Sequence, residues 1–153
     1  MSVEAKLAEL GLYLPVAAAP VANYMPWVRP GSLLYISGQL SKNADGTIMS
    51  GHLGDTMMTE QGARAAKTCA LGVLAQISAA LEGDWSKLKR LVKLSGFVSS
   101  TALFREHPAV INGASDLMVA VLGDAGRHAR SAVGVASLPL GAAVEIDAIV
   151  EVA

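Results

Sequence analysis

An α+β fold is predicted for this chain: one β-sheet with two helices packed on the same face. Two long segments repeat apolar residues at helical spacing. Several shorter runs are rich in β-branched residues, which suit a pleated surface. These segments follow one another in a ββαβαββ-like order that hints at two similar halves, and no linker interrupts them. At 153 residues the length fits a single domain that can bury a full core.

The elements follow in chain order. Ser2 to Leu10 reads as a short amphipathic helix, with Ser2 as cap, Val3, Leu7 and Leu10 on one face, and Gly11 as stop. Residues 1–15 thus form an N-terminal helical extension. Leu14 to Pro20 is rich in Ala and Pro and reads as extended chain. Asn23 to Val28 and Leu33 to Ser37 flank the turn signal Arg29-Pro30-Gly31-Ser32 and together read as a hairpin. A further turn, Asn43-Ala44-Asp45-Gly46, precedes a short strand segment at Thr47 to Met49. Thr59 opens the first long helix, in which Ala63, Ala66, Ala70, Val73, Leu74, Ile77 and Leu81 recur at helical spacing before Gly83 ends it. Leu88 to Ser99 reads as a strand carrying Leu91, Leu94, Phe97 and Val98. Ala109 to Leu122 is the second long helix, stopped by Gly123. Two strands close the chain, Arg130 to Leu138 and Val144 to Val152, joined by a short Pro/Gly turn.

Composition narrows the function classes. Apolar residues make up 52% of the chain and aromatics only 5%, so Ala, Val, Leu and Gly supply the core. Charged residues are 16%, against roughly 25% in an average soluble domain. A small domain with so little charge has apolar surface to spare, and a further subunit is expected to cover it. The net charge is −1, and the densest cationic cluster, Lys87, Lys89, Arg90 and Lys93, reads as a solvated strand start. No basic patch of the kind that nucleic acid requires is present, so nucleic acid is not an expected partner. Cys69 is the sole cysteine, which excludes an intrachain disulfide and a cysteine metal cluster. His52, His107 and His128 lack the spacing of a metal site, and no metal is expected. No apolar run reaches the ~20 residues of a membrane span without interruption. Met1 to Leu14 carries Glu4, Lys6 and Glu9 and does not read as a signal peptide, so a cytoplasmic location is expected.

Two charged residues stand out in the last quarter. Arg130 heads an apolar strand, and Glu145 lies between Val144 and Ile146 inside another. Each is costly if buried alone, so each needs a partner or a role. Arginine presents a planar fork matched to a carboxylate, which fits either a ligand grip or a salt bridge to a neighbouring chain. Burial raises the pKa of a carboxyl such as Glu145 and a nearby Arg lowers it, so the group suits proton exchange near neutral pH or a structural hydrogen bond. His128, two residues before Arg130, is either a second proton-transfer group or a rim residue.

The run Arg130-Ser131-Ala132-Val133-Gly134-Val135-Ala136-Ser137-Leu138-Pro139, followed by Val144-Glu145-Ile146-Asp147-Ala148-Ile149, resembles the C-terminal signature of the RidA/YjgF-like family, also called endoribonuclease L-PSP. Tyr24 followed by Leu33-Leu34-Tyr35-Ile36-Ser37-Gly38-Gln39 is similar to that family's tyrosine and its strand ending in S-G-Q. Val92-Lys93-Leu94-Ser95-Gly96-Phe97-Val98 is like its central strand. Together these stretches cover about residues 20–152.

The resemblance implies a chorismate-mutase-like fold, a homotrimer with sites between subunits, and no cofactor. It implies hydrolysis of enamine/imine intermediates, of the 2-iminobutanoate/2-iminopropanoate deaminase type, to a 2-keto acid and ammonia. In those terms Arg130 grips the substrate carboxylate and Glu145 orients the attacking water. Tyr24, Ser37, Gly38 and Ala132 line the pocket, and Asn112 joins them from the second long helix. Ala132 departs from the family, where many members carry cysteine, and His128 stands where many carry proline. The missing thiol keeps open a non-catalytic, carboxylate-binding or regulatory trimer. A third reading, endoribonuclease or translation inhibitor, meets an acidic balance and no basic groove.

Overall fold

The computed structural model describes residues 1–20 and 22–153. Five strands form one mixed sheet: β1 (Trp27–Val28), β2 (Leu33–Leu40), β3 (Leu88–Ser99), β4 (Ala129–Val135) and β5 (Val144–Val152), in the spatial order β1-β2-β5-β3-β4. The helices are α1 (Val3–Glu9), α2 (Thr59–Ala80) and α3 (His107–Leu122). The α+β class and the packing of both long helices on one face are as the sequence predicts.

Pairing is where sequence and structure part. β1 and β2 do form the expected antiparallel hairpin. β4 and β5, although joined by a short turn, never touch, because β3 lies between them. β3 pairs with β4 in parallel and with β5 antiparallel. A parallel pair needs a crossover, and α3 supplies it between β3 and β4. α2 likewise carries the chain from β2 over β5 to β3.

Strand and helix ends differ from expectation for local reasons. The expected strand from Asn23 shrinks to Trp27–Val28, since Pro26 lacks the N–H a ladder needs. β2 runs past Ser37 to Leu40 by way of a bulge: Ile36 faces Ala148 and Gln39 faces Ile146, so β2 carries one extra residue. Thr47 to Met49 forms no strand, and Ile48 makes a single bridge to Lys42. β4 stops at Val135, short of Leu138, because its partner β3 ends there in the pair Ser99–Val135. α3 begins at His107, ahead of Ala109: Pro108 fits the first helical turn, where its missing N–H costs nothing.

Alternation along the sheet sorts residues to two faces. Val144, Ile146, Ala148, Val150 and Val152 of β5 are buried under the helices with Leu91, Leu94 and Val98 of β3. Complete burial of each Leu, Ile or Val contributes about 1.5–3 kcal/mol. α2 opens with a capping contact, Met58 N donating to Gln61 Oε1 at 2.8 Å, and meets the sheet through Ala66, Cys69, Ala70 and Val73. Small residues also let the helices close on each other. A Cβ on Gly113 of α3 would fall 2.0 Å from the Ala63 carbonyl oxygen of α2, and one on Gly96 of β3 would fall 2.6 Å from Ile111.

The N-terminal helix belongs to the same core. Ser2 Oγ accepts from Ala5 N at 3.1 Å, and Val3 and Leu7 are buried, with Trp85 Nε1 donating to Glu4 Oε1 at 2.8 Å. Leu10 does not share that face: the helix has ended at Glu9, and Leu10 is 52% exposed. Among the described residues, no helix packs over the other face of the sheet, which carries Tyr35, Phe97, Val133, Glu145 and Asp147. Among the described residues no helix is long and apolar enough to cross a membrane.

Candidate active site

The structure sorts the predicted site residues into two groups. The first gathers on β2 and β5. Glu145 pairs with Phe97 on one side and Leu40 on the other, which puts its side chain on the uncovered face. The bulge at Ser37 and Gly38 lies beside it. A Cβ on Gly38 would fall 1.9 Å from Glu145 Oε2, so the absence of a side chain there makes room for the carboxylate. Ser37 ties in the segment before β1: its N donates to the Pro26 carbonyl at 2.9 Å and its Oγ to the Met25 carbonyl at 2.7 Å. Tyr24, next to Met25, is 54% exposed and stands at the rim of this group.

Burial raises the Glu145 carboxyl above its ordinary 4.5, and the charge of Asp147 adds to the shift. The lowering by a nearby arginine, expected from the sequence, is absent: no guanidinium is among the groups that act on it. Cys69 is the thiol nearest this group. Its Sγ donates to the Val144 carbonyl at 3.4 Å, and burial, then the Glu145 charge, pushes the thiol well above its ordinary range. It is a buried core residue and does not stand in for the thiol missing at Ala132.

The second group lies on β4, the outer strand, which leaves one row of backbone groups without a strand partner. Arg130 pairs with the fully buried Leu94, and Ala132 with Gly96, so both side chains stand on the helix side. The Arg130 guanidinium turns to α3, where Nη1 donates to Ser115 Oγ at 3.1 Å and Nη2 to the Pro108 carbonyl at 3.3 Å. Three of its five N–H donors remain uncommitted, enough for a bidentate carboxylate. The Ala132 methyl packs on the core. Asn112 is exposed on α3, one helical turn before Ser115 and on the same stripe.

Arg130 and Glu145 therefore do not meet within one chain. Their strands are two spacings apart, about 10 Å, and their side chains leave opposite faces of the sheet. Nor do two cavities of the chain join them. One, of about 480 Å³, lies where β3 and β4 end and α3 begins, lined by His52, Ser100, Phe104 and His107. The other, of about 700 Å³, separates the arm at residues 11–18 from α2. None of the seven predicted residues lines either cavity.

One partner of Arg130 escapes sequence reasoning. Ser115 is an ordinary helix serine in the sequence, and only its helical spacing to Asn112 marks it. His128 has both ring nitrogens occupied, Nδ1 by the Gly126 carbonyl at 2.7 Å and Nε2 by Ser115 Oγ at 2.9 Å. That contradicts a free proton-transfer role.

Comparison with known proteins identifies the family to which this fold belongs. Residues 4–152 match the family described as YjgF/chorismate mutase-like, putative endoribonuclease. Protein TCP17 of Trypanosoma cruzi is 53% identical, over 97% of this chain and 93% of that protein. The crystal structure of a protein with unknown function from Agrobacterium tumefaciens is similar with a TM-score of 0.93 at 52% identity, covering 99% of this chain and 92% of that one. The 2-iminobutanoate/2-iminopropanoate deaminase of Dermatophagoides farinae is 29% identical, over 89% of this chain and 91% of that protein. By its sheet order, its strand motifs and this match along nearly its whole length, the chain belongs to the YjgF/chorismate-mutase-like family.

Proposed function

We propose that this protein hydrolyses reactive 2-imino acids to 2-keto acids and ammonia, at sites that two adjacent copies of the chain build in a homotrimer. The observation that carries the reading is the division of the site. A guanidinium with free donors stands at one edge of the sheet, and a carboxylate with a raised pKa stands on the uncovered face towards the other. One chain cannot aim both at a small molecule. Two chains can, if the β4 edge of one meets the β2–β5 surface of the next. Exposed apolar side chains on that surface, Tyr35 at 42% and Val133 at 44%, favour such an assembly. The deaminase from Dermatophagoides farinae supports the chemistry.

The chemistry asks little of the protein. Arg130 holds the substrate carboxylate, which fixes the imine carbon in one orientation. Glu145, as carboxylate, takes a proton from water as the oxygen attacks that carbon. Starting from the protonated imine, Glu145 returns that proton to the nitrogen of the adduct, the nitrogen leaves as ammonia, and the hydroxyl gives up its proton to the freed Glu145 carboxylate as the carbonyl of the keto acid forms. Tyr24, Ser37 and Gly38 shape the wall beside Glu145, and Ala132 contributes main-chain groups. No step needs a thiol. A non-catalytic carboxylate-binding trimer is the second reading, favoured by alanine at position 132.

Ammonia release from freshly generated 2-iminopropanoate separates the two. Wild type should accelerate it, and Arg130→Ala should reduce the acceleration by at least about 100-fold, the scale of losing a charged bidentate contact. Wild type binding 2-oxobutanoate without turnover would establish the binding protein instead.

A further inference from the structure

We infer that His128 and Ser115 form a positioning relay that presets the Arg130 guanidinium for a carboxylate ligand. The inference rests on the proposed role of Arg130, but the relay itself is read from hydrogen-bond direction. His128 Nδ1 lies 2.7 Å from the Gly126 carbonyl oxygen, which can only accept. Nδ1 therefore carries a hydrogen, and in the neutral ring Nε2 is left as a lone pair. Ser115 Oγ, 2.9 Å away, donates to that lone pair. Its own lone pairs then face Arg130 Nη1, a pure donor at 3.1 Å. With the ring neutral, every hydrogen in the chain Arg130 → Ser115 → His128 → Gly126 is assigned by what its neighbour can accept.

The base of the relay is fixed by packing. Gly126 closes a single 3₁₀ turn, Gly123–Gly126, that leads from α3 into β4. A Cβ there would fall 2.3 Å from the Met118 carbonyl oxygen of α3, so the turn sits directly on the helix. The same contact brings His128 beside Ser115, one turn before Met118 on that helix. A second tie, Arg130 Nη2 to the Pro108 carbonyl at 3.3 Å, holds the far end of the guanidinium. Arginine has many rotamers, and ordering one of them before the ligand arrives removes that cost from binding. His128 and Ser115 touch no substrate in this reading. They are positioning residues.

The test has two arms on the full-length protein. The first needs no ligand. Nitrogen-15 NMR of the imidazole should show His128 neutral with hydrogen on Nδ1, the minor tautomer of a free histidine. Ser115→Ala should speed exchange and rotation at the Arg130 Nη groups, and Ser115→Thr, which keeps the hydroxyl, should restore the wild-type behaviour. Hydrogen on Nε2 of His128, or Arg130 signals indifferent to Ser115→Ala, would overturn the relay. The second arm titrates 2-oxobutanoate. Ser115→Ala and His128→Phe should each weaken it about 10-fold, the worth of one ordered hydrogen bond. His128→Gln, whose amide oxygen can accept in place of Nε2, should fall within about 3-fold of wild type. Ser115→Ala binding as wild type does would refute positioning. Arg130→Ala binding as wild type does would sink the carboxylate site while leaving the first arm to judge the relay.

Discussion

Glu145 is the residue at which burial and chemistry pull against each other. Its carboxyl is raised above 4.5 by burial first and by Asp147 second, so the folded protein holds the proton more tightly than the unfolded chain does. That preference stabilises the fold at pH below 4.5 and is lost as pH rises through the raised value, where the carboxylate must charge in a poorer solvent than water. Glu145→Gln has no such loss. In urea titrations at one protein concentration, the variant should gain stability relative to wild type between pH 4.5 and the raised pKa and hold that gain above it. Parallel curves would show that Glu145 meets solvent freely in the folded protein. This residue and Arg130 were legible in the sequence because a charge in an apolar strand needs a reason to be there. Ser115 was not, since a serine on a helix face carries no such cost, and His128 was marked only by standing two residues before Arg130. Gly38 was marked only as a pocket-lining position that the resemblance implies, and the group that occupies the space its missing side chain leaves is Glu145 itself.

At the scale of elements, periodicity gave away what local sequence controls. β3 and β5 fall on the expected residues, and the apolar stripe of α2 is the one that packs. What periodicity cannot carry is pairing. The insertion of β3 between β4 and β5 depends on how helices fill one face of the sheet, and nothing in the turn at Pro139–Gly141 announces it. Gly113 shows how tight that filling is. In an isolated helix Gly→Ala gains about 1 kcal/mol. Here the added methyl would meet the main chain of α2, not a side chain that could move aside. Gly113→Ala should therefore destabilise by about 1–3 kcal/mol, visible as a lower urea midpoint with an unchanged slope. A gain in stability would mean that α2 and α3 have room to separate at no cost.

For the whole molecule the decisive question is which copies supply Arg130 and Glu145. A site within one chain would require two side chains on opposite faces of a sheet to turn towards one point, through a strand that carries Phe97 between them. A site between chains requires only that the outer strand of one copy dock near the uncovered face of another. The two arrangements differ in an experiment that mutates one partner at a time. Arg130→Ala and Glu145→Gln should each lack imine hydrolysis as pure trimers. Unfolded together in equal amounts and refolded, they should assemble mixed trimers in which some interfaces pair an intact Arg130 from one copy with an intact Glu145 from the next. With random assembly each site is complete about one time in four, so roughly a quarter of wild-type activity should return. Sites confined to one chain would recover nothing on mixing, because every chain would carry one lesion. Recovery near a quarter would place the two halves on different copies and make assembly a condition of catalysis. Val133→Asp, which charges the uncovered face two strands from Glu145 and leaves both Glu145 and Arg130 in place, should then abolish turnover in step with the loss of trimer in sedimentation.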